Sequence, residues 1–206
     1  MDAAVRPLSQ EGGLGVIPTI VWTLPRPAKS RYKGAFPLYF EQNLVQLLGY
    51  PEKILHPFGG MAELGTRVDL NGDLEPDHVA DAHDLPFEDE TFDLVILDPP
   101  YSDDEAQELY GTPKLKPAAY TREAVRVLRE GGWLCVYTDR EPARPPRCNH
   151  AMRIMVVLRP HHRPRVCGVF QKRKPGMPYY GTEAGEPQIE DADAFGELVT
   201  GDDGGL

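Results

Sequence analysis

Cysteine is scarce in this 206-residue chain: there are three, Cys135, Cys148 and Cys167. At that spacing they form neither a disulfide framework nor a Cys-x-x-Cys metal knuckle. No apolar run approaches the ~18 residues of a membrane helix, so no membrane partner is expected. The N-terminus (MDAAVRPLSQEGG) lacks the basic-then-apolar order of a signal peptide, and cytoplasmic residence is the expectation. Internal repeats are absent, and the length suits one α/β domain but not a second full one.

Net basic charge is missing as well. The total is −10, which on its face disfavours a nucleic-acid partner. Position changes that reading. Residues 183–206 hold eight acids and no Lys or Arg, whereas residues 140–174 hold ten Lys or Arg against Glu141 alone. A basic strip between acidic regions is a candidate binding surface for phosphates. Its residues include Arg144, Arg147, Arg159, Arg163, Arg165 and Lys172. The blander alternative is a solvated, Arg-rich hairpin. A metal cluster of Cys148, His150, His161 and His162 is not expected, because no pair shows a known ligand spacing.

The apolar pattern predicts alternating strands and helices. Phe36, Phe40, Leu44, Leu47 and Leu48 recur at helical spacing and stop at Gly49. Short strands follow at Lys53–Phe58, Thr66–Leu70 and His78–Ala82. Phe92–Leu97 (FDLVIL) is continuously apolar after Asp93, as in a parallel strand covered on both faces. A helix at Pro117–Arg129 leads to a strand at Trp133–Thr138, and Arg153–Leu158 with Val166–Gln171 closes an antiparallel pair. These elements predict a doubly wound α/β sheet, mostly parallel, with an antiparallel edge. The domain is placed at residues 30–176, after an irregular segment at 1–29 and before an acidic tail at 177–206 that is expected to be disordered.

Open α/β sheets bind ligands at the carboxyl ends of their strands, which makes four strand ends the candidate site. Phe58-Gly59-Gly60 follows the first of them, where glycine lets backbone approach a ligand closely. Asp69 closes the second and can accept both hydroxyls of a ribose. Asp81, beside Ala82, is an acceptor-only carboxylate suited to an adenine amino group. The fourth end, Asp98-Pro99-Pro100-Tyr101, is the most specific feature. Two prolines cannot donate to a ladder, so the strand stops there in a rigid bend. Asp98 and the Pro99 carbonyl then offer two acceptors beside the flat face of Tyr101, a set that suits an exocyclic amino group with two N–H donors. Fixed acceptors favour the pyramidal, more nucleophilic amine of the transition state.

These residues resemble class I S-adenosylmethionine-dependent methyltransferases, and among them those that methylate nucleobase amino groups, marked by (Asp/Asn/Ser)-Pro-Pro-(Tyr/Phe/Trp). The stretch Leu85–Tyr101 (LPFEDETFDLVILDPPY) is similar to that family's third-to-fourth-strand region, and the likeness extends over roughly residues 30–175. It implies a Rossmann-like, seven-stranded sheet and S-adenosylmethionine as cofactor, with no metal. It also implies that Lys33, Phe36, His56, Phe58, Gly59, Gly60, Asp69, Asp81 and Ala82 line the cofactor. Asp98, Pro99, Pro100 and Tyr101 would then hold the target amine.

The chain departs from the family in two ways. His56 stands where an acid is usual, and only Met61–Gly65 separates Gly60 from the next strand, too short for a helix of more than about one turn. Glu63 has no role that the pattern assigns.

The implied reaction is methyl transfer to a nucleobase amino group, adenine in DNA being favoured because Asp rather than Ser opens the motif. A base in a duplex must leave the stack to reach Tyr101. RNA adenine or guanine is the alternative, since RNA loops present unstacked bases. A small-molecule methyltransferase and a catalytically silent binding subunit are further alternatives. The segment between Tyr101 and Pro117, with Tyr110, Lys114 and Lys116, is too short for a target-recognition region, so a partner subunit is one source of recognition.

Overall fold

The computed structural model gathers the apolar runs of the chain into one sheet with helices on both faces. It describes residues 17–26, 35–102, 104, 106–107, 115–158 and 163–177. In chain order these contain β1 (Thr19–Thr23), α1 (Phe40–Leu47), β2 (Ile54–His56), β3 (Thr66–Asp69), a 3-10 turn (Gly72–Leu74), β4 (His78–Val79), β5 (Phe92–Leu97), α2 (Pro117–Val127), β6 (Leu128–Thr138), β7 (Cys148–Val157) and β8 (Arg165–Lys172).

The sheet order is β1-β7-β8-β6-β5-β2-β3-β4. All neighbours are parallel except the two pairings of β8, which runs antiparallel to both β6 and β7. The Rossmann-like, mostly parallel sheet expected from the sequence is therefore present, with its antiparallel pairings gathered toward one edge. It has eight strands rather than seven. Thr19–Thr23, read from the sequence as irregular, pairs with Arg153–Val157 of β7. Its alternating burial marks an edge strand whose partner, not its own apolar content, creates it.

β5 shows why its sequence is continuously apolar. Leu94 and Ile96 pack into a core with Phe40 and Leu44 of α1, while Val95 and Leu97 join Tyr120, Ala124 and Val127 of α2 on the opposite face. Each such aliphatic side chain contributes on the order of 1.5–3 kcal/mol on burial. Asp93 interrupts the run to cap the turn that leads into the neighbouring strand β2: Oδ2 accepts from the Glu52 and Lys53 N–H groups, both at 3.0 Å, and Oδ1 pairs with Arg129 at 2.9 Å.

Helix α1 starts four residues later than the spacing predicts. Pro37 disfavours helical geometry at Phe36, and Tyr39 adopts φ 69° before the first turn. Phe36 nonetheless packs as predicted, stacked on Phe40 with centroids 5.0 Å apart. Helix α2 starts at Pro117, which fits a first-turn position. It stops at Val127 rather than Arg129, because Leu128 is already extended and begins β6. No helix among the described residues is long and apolar enough to cross a membrane.

Candidate active site

Because β2, β3, β4 and β5 are mutually parallel neighbours, their carboxyl ends open on one edge. That edge brings together the 57–65 loop, Asp69, Asp81-Ala82 and Asp98–Tyr101. Lys33, expected beside the cofactor, lies outside the described residues, as do Arg159 and the acidic tail from residue 178.

The loop after β2 is built without a helix. Gly59 N–H donates to the Val68 carbonyl at 2.7 Å, and a Cβ on Gly59 would sit 2.7 Å from that of Arg67. Gly60 N–H donates to Asp69 Oδ2 at 2.9 Å, while Asp69 Oδ1 accepts from the Asn71 N–H. The far end turns into β3 at Gly65, whose φ of +80° and closeness to the Ile54 carbonyl admit no side chain. Between these points the Glu63 and Leu64 N–H groups donate to the carboxylate of Glu41, on α1, at 3.1–3.2 Å. The side chain of Glu63 accepts from Gln42 Nε2 at 3.2 Å. Glu63 thus acquires a role through its neighbours on α1, which its position in the sequence does not reveal.

His56 lies beneath this loop, fully buried, with Nε2 3.3 Å from Glu41 Oε1 and its ring 5.9 Å from that of Phe36. Burial drives its pKa down to about 4, so the imidazole is neutral at pH 7. Burial also pushes the Glu41 carboxyl up, against two backbone donors that pull it down, and the net displacement is upward.

Asp81 belongs to a short relay. The Lys116 N–H donates to His83 Nε2 at 3.1 Å, which fixes the tautomer with the proton on Nδ1. That proton is donated to Asp81 Oδ1 at 2.6 Å, and the His83 N–H donates to the same oxygen. Burial pushes the Asp81 carboxyl up, but the His83 bonds outweigh it and hold the group below the usual carboxylate range. Both bonds fall on Oδ1, so Oδ2 keeps capacity for a ligand N–H. Phe58 packs edge-on against Tyr120, 5.2 Å between centroids, closing the base of this edge.

At the end of β5, the Tyr101 hydroxyl donates to Asp98 Oδ1 at 3.0 Å. The Arg165 guanidinium lies 4.6 Å from the centroid of the Tyr101 ring, a cation–π contact. Burial and then the Asp98 carboxylate push the Tyr101 phenol far above its ordinary pKa, and Arg165 only partly opposes them. Tyr137, near the end of β6, packs against Phe36 at 5.6 Å and Phe40 at 4.9 Å. Its own phenol is raised by burial and then by Asp98. The strand-end rule applied to WLCVYT marks Tyr137. Glu41 carries no such signal, because an acid in an amphipathic helix reads as solvent-facing.

Residues 63–136 match the family model described as a methyltransferase domain. No curated protein matches the chain by sequence. Among solved structures, TrmN from Thermus thermophilus is similar with a TM-score of 0.51 and 21% identity, over 68% of this chain and 50% of that one. The chain therefore spans about half the length of TrmN. PH0226 from Pyrococcus horikoshii OT3 (TM-score 0.42, 16% identity, 65% of this chain and 87% of that one) is more distant. The putative methylase HI0767 from Haemophilus influenzae (0.42, 15%, 65% and 96%) is similarly so.

The fold is that of a class I S-adenosylmethionine-dependent methyltransferase domain. S-adenosylmethionine is the cofactor that the match implies. The Asp81 carboxylate at the end of β4 fits an N–H donor of its adenine through Oδ2, while the Gly59 and Gly60 N–H groups and both Asp69 oxygens hold the loop that would frame it.

The basic strip of this chain is not a uniform surface. Arg147 and Arg163 are exposed, Arg144 is half-buried with Nη1 on the Cys148 carbonyl, and Arg165 sits against Tyr101. Lys172 is a correction to the sequence reading. It is 2% exposed, and Nζ donates to the carbonyls of Val125 at 2.9 Å and Leu128 at 2.6 Å, so it caps the end of α2 and cannot meet a phosphate.

Proposed function

We propose that this chain transfers the methyl group of S-adenosylmethionine to an exocyclic amino group of a nucleobase, with adenine in DNA as the favoured target. The reading rests on one observation: Asp98 and Tyr101 are held together, 3.0 Å apart, at the carboxyl end of the strand beside the glycine loop. When bound, the cofactor supplies an electrophilic methyl on a positively charged sulfur.

The chain's own residues do the rest. Asp98 and the Pro99 carbonyl accept the two N–H donors of the amine, and Pro99 and Pro100 keep those acceptors from reorganising. Tyr101 offers its ring to the base plane. Gly59 and Gly60 shape the loop that frames the cofactor, Asp69 holds that loop through the Gly60 and Asn71 N–H groups rather than reaching the ribose, and Asp81, with Ala82, accepts from the adenine. His56 and Phe36 close the site from below. Arg144, Arg147, Arg163 and Arg165 supply positive charge for a phosphate backbone. With so little chain between Tyr101 and α2, target recognition falls to a partner subunit or to the nucleic acid's own shape. The latter favours RNA as the second reading, since its loops present unstacked bases.

The deciding experiment is transfer of labelled methyl into duplex DNA, single-stranded DNA, total RNA and a nucleoside mixture, with Asp98→Ala as control. Label in one polymer, abolished by the substitution, supports the reading and names the polymer. Label only in the mononucleosides would replace it with small-molecule methylation.

A further inference from the structure

Between His56 and Thr66 the chain has no helix, yet the loop that spans this gap is pinned at several backbone amides. Two of those amides, Glu63 and Leu64, donate to a side chain 22 and 23 residues earlier, the carboxylate of Glu41. Glu41 is 5% exposed, an unusual place for a carboxylate on a helix whose other face is open to water. Its neighbour Gln42 holds the Glu63 side chain from outside. Helix α1 therefore grips the loop by consecutive residues, and α1 is itself fixed by Phe40 and Leu44, both fully buried.

We propose that Glu41 is a positioning residue for S-adenosylmethionine, its carboxylate shaping the 57–65 loop from α1 in place of a helix following β2. The proposal rests on the reading of this edge as the cofactor site. Glu41 acts through the loop and does not touch the cofactor. Burying a carboxylate beside Glu63, a like charge, is costly, and a merely apolar contact would fill the same volume at lower cost. What the carboxylate adds is two acceptors that orient consecutive N–H groups, and His56 beneath it supplies a neutral ring rather than a competing charge.

The same helix reaches the other half of the site. Phe40 packs against Tyr137, and the Asp98 charge acts on the Tyr137 phenol. One rigid element thus sets the cofactor loop and backs the amine end.

The test measures S-adenosylhomocysteine binding by calorimetry to the full chain, for wild type, Glu41→Gln, Glu41→Asp and Val156→Ala. The last is a buried β7 position away from the loop and controls for lost stability. Expected results are an affinity about tenfold lower for Glu41→Gln, a smaller loss for Glu41→Asp, and little change for Val156→Ala. Slow amide exchange at Glu63 and Leu64 in the wild type, slowed further by ligand, is expected from the same geometry and needs no variant. Should Glu41→Gln fail to fold, Glu41→Asp and the exchange rates decide. A folded Glu41→Gln that binds as wild type, an equal loss in Val156→Ala, or fast exchange at both amides overturns the proposal. Absence of binding by the wild type overturns the cofactor reading itself, a result distinct from the others.

Discussion

The hydroxyl of Tyr101 donates to Asp98 Oδ1 at 3.0 Å, so the phenol occupies one acceptor of the carboxylate on which the proposed amine contact rests. With Arg165 against the ring at 4.6 Å, the aromatic platform is held in that position. On the proposed function an incoming amine shares the Asp98 carboxylate with the phenol or replaces it there, and the two residues are separable by mutation.

Tyr101→Phe keeps the ring and removes the competing donor, and methyl transfer is expected to stay within about threefold of wild type, with KM no higher. Tyr101→Ala removes the stacking surface and is expected to cost about ten- to hundredfold in kcat/KM. Asp98→Asn replaces an acceptor-only group and is expected to cost about a hundredfold or more in kcat. Steady-state kinetics on the polymer that takes label distinguishes the three, and a Tyr101→Phe enzyme as poor as Asp98→Asn would show the hydroxyl to be essential.

His56 makes stability fall with acid. Its pKa is lowered from 6.5 to about 4 by burial, so the unfolded chain binds a proton that the native state does not between those values. Its contribution is full above about pH 6.5 and is lost as pH falls to about 4, at most about 3 kcal/mol. Glu41 has the opposite sign: its carboxyl is raised, and its contribution is full below the ordinary glutamate range and lost as pH rises through the native value. Urea unfolding at pH 7, 5.5 and 4.5 is expected to show a shallower acid loss in His56→Leu than in wild type. Equal losses would refute the buried neutral imidazole.

Lys172→Met is expected to destabilise the protein by about 2–4 kcal/mol, because two carbonyls at the end of α2 lose their donor. Where the variant is folded, its affinity for nucleic acid is expected to keep the wild-type salt dependence. Arg165→Ala is expected to lower the slope of log affinity against log salt by about one. A reversed outcome, with Lys172 setting the slope, would place its ammonium at the surface.

Gly65→Ala is expected to cost on the order of 1–3 kcal/mol, since its φ is +80° and the new Cβ meets the Ile54 carbonyl at 2.5 Å. Thermal melting measures this directly. A neutral substitution would mean that the turn into β3 adopts another geometry.

Much of the architecture was legible because its signals are local. FDLVIL could only be a strand buried on both faces, and Asp-Pro-Pro-Tyr could only end it. Helical periodicity continues through Phe36 although Pro37 disfavours helical backbone there, so the pattern places the start of α1 too early. β1 leaves no local signal because Thr19–Thr23 owes its strand to β7, 134 residues away in sequence. A lysine amid arginines looks solvated, and nothing local reveals two helix carbonyls converging on the Lys172 ammonium.

The sequence by itself determined which residues sit at the strand ends, since turn chemistry, proline stops and apolar runs are properties of a few consecutive residues. Asp69, Asp81 and the Asp98–Tyr101 bend were named that way. Only the tertiary structure decided how the shortened loop is held. Glu41 lies on a helix before β2, and its carboxylate becomes a loop anchor only when the sheet brings α1 over residues 63 and 64. The Lys116 N–H that orients the His83 ring toward Asp81 likewise comes from 33 residues further along the chain. Contacts of that kind depend on packing, and no local pattern encodes them.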